Sequence, residues 1–469
     1  MNHFHNAKII ATIWPAIDKE TVLSKVINQI DVFRINLSHG DEETKKKYID
    51  TILKLDSSKT VMLDTRGPEI RTRNKDEITL KKNQKITISF AEFFKQETGT
   101  LFIDYPNLHR IEAGTIISID NDTVKIEVLS SKEGDLLGKV IHGGTILINR
   151  NVEFENYIPK LAFLSEKDKK QIARWVENKI TVIAVSYIRD KENIATIKQF
   201  LADINGKTVK IVAKIETKEA VDNIEEIIKY ADGINLNRSK LTILVGERRA
   251  DATKRKIISL CNQYGKPIIM TTGFEITGAS NTANWKVVKE EIALWVDAFL
   301  LTKETAVSEK QIDFVTQLYD MINDEKNAVQ SNFHLKDLHS NEDNSITDYI
   351  IFTAYRASKE MTIKAIICPT ESGYTAARLS SLKPNVPIIA FTKNDDSYRY
   401  LNLLRGVKGY KISNSFEYTN IKQIGKEIIR ILFKGNISLD DKILITHSSL
   451  EQNIPGMING MELYKFKDI

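Results

Sequence analysis

Eight short runs of apolar and β-branched residues recur along this chain, each followed by a stretch with helical spacing, and that alternation leaves few folds open. The runs are Lys8 to Ile13, Val32 to Leu37, Thr60 to Asp64, Val182 to Tyr187, Lys210 to Ile215, Gly233 to Asn237, Pro267 to Thr272 and Ala298 to Thr302. In the intervals Val22, Val26 and Ile30 share one helix face, as do Val221, Ile224 and Ile228, and Ser165 with Asp168 has the spacing of a capping box. Parallel strands need a crossover between them, usually a helix. Eight such β-then-α units predict a TIM (β/α)8 barrel, an α/β fold whose chemistry sits at the carboxyl ends of its strands.

Two departures from the alternation set the domain plan. About 120 residues separate the third and fourth runs, and residues 75 to 150 carry short strand patterns instead: Ile78 to Lys82, Lys85 to Phe90, Ile116 to Asp120, Thr123 to Val128 and Thr145 to Asn149. With turns at Asn121-Asp122 and Gly143-Gly144, this stretch predicts an inserted β-barrel lid domain. After a polar linker near Asn327 to Asn344, alternation resumes with Ala365 to Pro369, Pro387 to Thr392, Lys408 to Ser413 and Lys442 to Thr446. The expected plan is barrel over 1–74 and 151–330, insertion over 75–150, and a C-terminal α/β domain over 331–469. A chain of 469 residues suits about three domains.

Charge and cysteine content narrow the function classes. A net charge of +5 is slight for this length and gives no electrostatic case for nucleic acid. Lys45-Lys46-Lys47 reads as a solvated helix face. Cys261 and Cys368 are the only cysteines, too few for a disulfide framework or a four-cysteine zinc site, and they suit a reducing cytoplasm. No run approaches the roughly 18 apolar residues a membrane span requires, so a soluble, cytoplasmic protein is expected. Trp175, Trp285 and Trp295 fall at helical positions and read as packing or interface residues.

The polar residues at the predicted strand ends are a selected set. Arg34, Asn36 and Ser38 end the second run, Asp64 and Thr65 the third, Lys214 and Glu216 the fifth, and Thr272 the seventh. Singly, such residues more often serve turns: Arg34, Asn36 and Ser38 read first as a polar cap for a helix near Asp41, and Asp64 as a cap for the turn at Gly67-Pro68. Jointly, cations and oxygen donors on one rim are what phosphoryl transfer needs, because charge spreads over the moving phosphate oxygens.

Two segments carry a resemblance. Leu63-Asp64-Thr65-Arg66-Gly67-Pro68-Glu69-Ile70-Arg71-Thr72 closely resembles the LDTKGPEIRTG signature of pyruvate kinases, and Arg34-Ile35-Asn36-Leu37-Ser38-His39-Gly40 resembles that family's RxNxSHG element. The resemblance covers nearly the full length and implies the same barrel, β lid and α/β effector-type domain. It implies transfer of phosphate from phosphoenolpyruvate to ADP, giving pyruvate and ATP. Arg34 would hold the substrate phosphate, Lys214 would stabilise the transferring group and the enolate, and Thr272 would serve enolate protonation. Asn36, Ser38, Asp64 and Thr65 match the potassium ligands, and His39 and Arg71 line the nucleotide side. Arg238 and Ser239 fall in the stretch that meets substrate. A homo-oligomer or a partner subunit is also implied.

The family holds Mg²⁺ or Mn²⁺ with the glutamate of KIE, here Lys214-Ile215-Glu216, and with the aspartate of DGIMVARGDLG. The latter stretch here runs from Asp232 to Thr242, and Lys240 stands at the aspartate position. One ligand of charge minus one has become a cation, which implies a weakened divalent-metal site. Two arrangements are open: Lys240 swings into solvent, or its ammonium pairs with Glu216 and takes the metal's place. The second implies either slow turnover or a pseudoenzyme that binds phosphate-bearing metabolites. Ser239 replaces a glycine, Trp14 replaces the glycine of TIGPA, and the stretches at Thr271 to Glu275, Ser280 to Glu291 and Leu301 to Ala306 keep only outlines of their family counterparts.

The tail has a motif of its own. Thr370-Glu371-Ser372-Gly373-Tyr374-Thr375-Ala376 lies between a strand and a helix, where N–H groups and the hydroxyls of Thr370, Ser372 and Thr375 beside Gly373 can cradle a phosphate. It resembles the family's TESGxTA element of the sugar-phosphate effector pocket, and reads equally as a capped helix start.

Overall fold

The computed structural model describes residues 7–13, 20–38, 40–91, 99–120, 122–132, 134–155, 157, 159, 161, 163–272, 285–301, 311–324, 334–335, 338, 344–413, 418–447 and 458–469. Trp14, His39 and, of the stretches singled out above, residues 273–275, 280–284 and 302–306 lie outside these residues, as does the side chain of Thr272.

Eight parallel strands close into a barrel: β1 (Lys8–Thr12), β2 (Val32–Asn36), β3 (Thr60–Asp64), β4 (Val182–Val185), β5 (Lys210–Ile215), β6 (Gly233–Asn237), β7 (Ile268–Thr272) and β8 (Ala298–Leu301). Each pairs with its sequence neighbour, and β8 closes on β1 with Lys8 opposite Ala298. Helices follow where the apolar spacing changes, and their starts have identifiable causes. Asp41 accepts from Thr44 N at 2.7 Å before Glu42–Leu55, and Asp190 accepts from Asn193 N before Lys191–Asp203. The helix Glu247–Tyr264 stops at Gly265, whose φ of +67° puts it in the left-handed region.

The period of two along each strand sorts side chains between barrel interior and helix layer. Ile10, Val32, Met62, Val182, Ala184, Val212, Ile269, Ala298 and Leu300 belong to one buried cluster. That cluster continues into the C-terminal domain through Tyr355, Leu379, Leu382, Leu403 and Leu404. The C-terminal domain thus packs on the amino-terminal ends of the barrel strands. Its sheet contains β9 (Ile363–Pro369), β10 (Ile388–Thr392), β11 (Val407–Lys411), β12 (Lys442–His447) and β13 (Gly460–Lys465), in the order β11-β10-β9-β12-β13 with only β13 antiparallel. The alternate face of this sheet packs Ala365, Ile367, Ile389 and Phe391 on Ile421, Ile428 and Ile429 of the helix Tyr418–Leu432. Sequence patterning does not single out β13, an edge strand of intermediate and exposed residues.

Buried charge fastens this floor. Asp297, just before β8, accepts from Lys383 Nζ at 3.3 Å, Arg405 N at 3.3 Å and Ile268 N at 3.0 Å. Arg378 and Asp348 pair at 2.8 Å with almost no exposure, and Arg378 also donates to Gln263 O at 2.7 Å. Lys8 Nζ reaches Val407 O, and Arg405 Nη1 reaches Val296 O. Tyr400 Oη donates to Asp232 O at 2.9 Å.

Residues 67–165 form a second compact unit. It holds a seven-stranded sheet and a two-stranded ribbon around its own core of Ile86, Ile88, Leu101, Ile103, Ile117, Ile126 and Val140. The strands Thr100–Ile103, Asp135–His142 and Asn151–Glu155 join those expected from sequence.

The tryptophans serve packing: Trp175 is buried, Trp285 lies on Phe314 at 6.1 Å, and Trp295 carries the Arg405 guanidinium at 4.7 Å. One charge expectation is corrected. Lys45 is not solvated: it is 4 % exposed, and its ammonium donates to Gly40 O at 3.0 Å and Leu37 O at 3.4 Å, tying the helix to the loop after β2. A lysine stem crossing apolar surface reaches carbonyls that water would otherwise satisfy.

Candidate active site

One step beyond the apolar layer, the inward-facing stripe of the barrel turns polar. Thr12 follows Ile10 by two residues, Arg34 follows Val32, Asp64 follows Met62, Ser186 follows Ala184 and Lys214 follows Val212. Strand periodicity therefore delivers all five to the carboxyl-terminal rim. Asp64 is the hub. Arg34 Nε meets its Oδ2 at 2.5 Å, Lys214 Nζ meets its Oδ1 at 2.9 Å, and only 2 % of its side chain is exposed. Arg34 Nη1 also donates to Thr12 Oγ1 at 2.8 Å, and Lys214 Nζ to Ser186 Oγ at 2.9 Å. Asp64 thus caps no turn, and the helix after β2 is capped by Asp41 rather than by Arg34, Asn36 or Ser38.

Charge alternates outward from this hub. Lys214 Nζ lies 3.4 Å from Glu216 Oε1, and Lys240 Nζ lies 3.2 Å from that same oxygen. Glu216 Oε2 accepts the Tyr187 N–H at 3.2 Å. Tyr187 has φ +56°, an outlier for an aromatic residue that aims its N–H at the carboxylate, and its ring centroid is 5.4 Å from Lys240 Nζ. Of the two arrangements open to Lys240, the structure has the one in which it pairs with Glu216. Lys240 stands in the first turn of the helix Arg238–Val245, and its N–H is capped by Asn237 Oδ1 at 3.0 Å.

The electrostatics follow from this alternation. Burial disfavours a charged Glu216, but the ammonium groups of Lys214 and Lys240 outweigh it and hold the carboxyl down to about 2. Burial likewise opposes charge on Asp64, and Arg34 with Lys214 overcomes it, lowering that carboxyl. Burial opposes charge on Lys214, and Asp64 with Glu216 raises its ammonium nonetheless.

The remaining oxygens have local partners. Asn36 Oδ1 accepts from Ser38 N at 2.9 Å, and Thr65 Oγ1 from Ser186 N at 3.0 Å. Asn36 sits opposite Asp64 in the register of β2 and β3. Both Asp64 oxygens already accept from Arg34 and Lys214, whereas the amide and hydroxyl oxygens of Asn36 and Thr65 keep spare lone pairs that could serve a monovalent cation. Glu216 does not suit a divalent one: two ammonium groups flank it, and among the described residues no three His, Cys, Asp or Glu side chains converge.

Arg238 and Ser239 open the helix that carries Lys240 and are exposed. Buried Glu291 has its carboxyl pushed up to about 7 by burial, against the opposing charges of Lys254 and Arg238. Arg71 lies in the inserted unit, where Glu69 Oε2 takes its Nε at 2.9 Å and Asn149 O its Nη1 at 2.9 Å. In the C-terminal loop, Thr370 Oγ1 accepts from Gly373 N at 3.1 Å and Ser372 Oγ from Tyr374 N at 3.4 Å; Thr375 is buried in the following helix.

Sequence reasoning overlooked Thr12, Ser186, Tyr187 and Asn237. The first two share the inward stripe of their strands, a weak signal for a lone hydroxyl.

Comparison with known proteins agrees with this architecture. A family described as the pyruvate kinase barrel domain matches residues 4–309, and one described as the pyruvate kinase alpha/beta domain matches residues 348–463. The chain is 29% identical to a pyruvate kinase of Clostridium perfringens, with 98% of this chain and 99% of that one covered. It is 28% identical to a pyruvate kinase of Bacillus licheniformis, covering 98% of this chain and 80% of that one, and 28% identical to one of Clostridium acetobutylicum, covering 97% and 98%. With the barrel match alone spanning more than half its length, this chain belongs to the pyruvate kinase family.

Proposed function

We propose that this chain binds phosphoenolpyruvate at the rim of its barrel and passes the phosphoryl group to ADP, yielding pyruvate and ATP, the phosphotransfer step of glycolysis. The observation that carries the reading is the chain of contacts Arg34–Asp64–Lys214–Glu216 at the carboxyl ends of β2, β3 and β5. A phosphoryl group in flight needs cations at its equatorial oxygens and fixed geometry, and little covalent help. Arg34 grips the phosphate. Lys214, next to Asp64 and Glu216, faces the bridging oxygen, where charge accumulates as the P–O bond breaks and a β-phosphate oxygen of ADP forms the new one. The resulting enolate takes a proton at its methylene carbon, the role given to Thr272.

Asn36, Ser38, Asp64 and Thr65 are the oxygens that would hold potassium, which supplies one further positive charge beside the phosphate. Arg71 and His39 serve the nucleotide. No step is assigned to a divalent ion, because the Glu216 carboxylate is engaged by Lys240.

That contact also favours a second reading: a protein that retains phosphate-bearing metabolites with little turnover, as a regulatory subunit or sensor. A coupled assay for pyruvate formation from phosphoenolpyruvate and ADP, run beside calorimetric binding of phosphoenolpyruvate, separates the two. Turnover supports the first reading, binding without turnover the second, and absence of binding removes both.

A further inference from the structure

A cation already sits at the Glu216 carboxylate. Magnesium takes oxygen ligands at about 2.0–2.1 Å in octahedral array, yet Glu216 Oε1 meets two ammonium nitrogens, at 3.2 and 3.4 Å, and Oε2 meets a backbone N–H. We propose that Lys240 permanently holds the place of a divalent cation, so that the site takes a phosphorylated carboxylic acid such as phosphoenolpyruvate without any divalent ion. The choice of ligand rests on the function proposed above; the statement about the cation does not.

Charge bookkeeping favours the substitution. Arg34, Lys214 and Lys240 against Asp64 and Glu216 leave a net charge of +1 among these five side chains. An aspartate at position 240 together with a bound divalent ion would contribute minus one plus two, which is the same +1 that the lysine contributes alone. The anion therefore meets an equal net charge, with the divalent ion's part supplied by the chain.

Geometry shows that the lysine is held rather than merely nearby. The Asn237 cap fixes the helix turn from which it rises, Glu216 takes its ammonium, and the Tyr187 ring flanks it. Tyr187 keeps a left-handed backbone whose N–H secures the other carboxylate oxygen. One further donor awaits an acceptor: Asn235, in register with Lys214, is 3 % exposed, and its Nδ2 has no hydrogen-bond partner among the described residues. A spare buried donor suits an anion better than a metal ion.

The test uses the intact protein and two readouts other than turnover. Electron paramagnetic resonance of free Mn²⁺ should show no stoichiometric uptake by the unsubstituted protein, whereas Lys240→Asp should take up one ion. Calorimetry with phosphoenolpyruvate should give the same affinity in EDTA as with excess Mg²⁺. Lys240→Met should bind it about tenfold more weakly in both, the loss of one charge-assisted hydrogen bond, without gaining a Mn²⁺ site. Uptake of one Mn²⁺ by the unsubstituted protein, or affinity for phosphoenolpyruvate only when Mg²⁺ is present, overturns the proposal whether or not either variant folds. If phosphoenolpyruvate fails to bind in either medium while the Mn²⁺ results hold, the proposed function falls and Lys240 keeps its assignment.

Discussion

Two sets of buried charges stand at opposite ends of one barrel, and they are wired differently. At the floor, cations end on backbone carbonyls as well as carboxylates: Arg378 on Gln263 O, Arg405 on Val296 O, Lys8 on Val407 O. At the rim, the partners are side chains shared between neighbours, Asp64 between Arg34 and Lys214, and Glu216 between Lys214 and Lys240. A backbone carbonyl moves only with its chain segment, whereas a side-chain carboxylate can turn about its own torsions without moving the backbone. The floor is tied to the backbone and the rim is wired through side chains, in keeping with the division of a TIM barrel into a stabilising and a reactive end.

The comparison breaks most visibly at Lys214. Lys214→Met should lower pyruvate formation in the coupled assay by about 10²–10³-fold, the usual effect of removing one donor to a developing negative charge, with circular dichroism unchanged. Loss of folding instead of activity would make the rim structural. At the floor, Asp348→Ala strands Arg378 and should cost about 3–5 kcal/mol in urea unfolding, while the folded protein keeps its affinity for phosphoenolpyruvate.

Glu291→Gln sharpens the contrast, because this buried carboxyl resists charge. Its folded value near 7 lies above the ordinary 4.5, so the native state holds a proton that the unfolded chain has released between those values, and stability falls as pH rises through that window. The substitution should therefore stabilise by roughly 3 kcal/mol at pH 8 and leave stability at pH 4.5 nearly unchanged. Lys254, Arg238 and Glu290 are the charges that act on it.

The smallest effect is expected at the rim itself between pH 5 and 8. Glu216 and Asp64 are held below the carboxylate range and Lys214 above the ammonium range, so no member of that trio changes charge there. Calorimetric affinity for phosphoenolpyruvate should then follow only the second ionisation of its phosphate, near pH 6 for such groups. Stability that Glu216 contributes should persist above pH 4.5 and fade toward about 2.

The barrel was legible because its strands are continuous apolar runs, and Arg34, Asp64 and Lys214 because they interrupt those runs at one level. Ser186 and Thr12 lie on the same stripe, yet a lone hydroxyl at a strand end is too common to stand out. Strand β13 was missed because none of its residues is buried, Thr100–Ile103 because four buried residues in a row show no alternation, and Asp135–His142 because Leu137 and Ile141 put apolar side chains on the outward face of an alternating strand. The direction of Lys240 was not legible at all. A four-carbon stem reaches solvent or carboxylate with equal ease, and only the folded structure places its ammonium on Glu216 beside the Tyr187 ring.

The contact between Lys240 and Glu216 has a consequence for supply. A dissolved ion visits a carboxylate at a frequency set by its abundance and is lost to any stronger chelator. An ammonium carried on a helix has a local concentration fixed by its tether, the same in a starved cell as in a replete one.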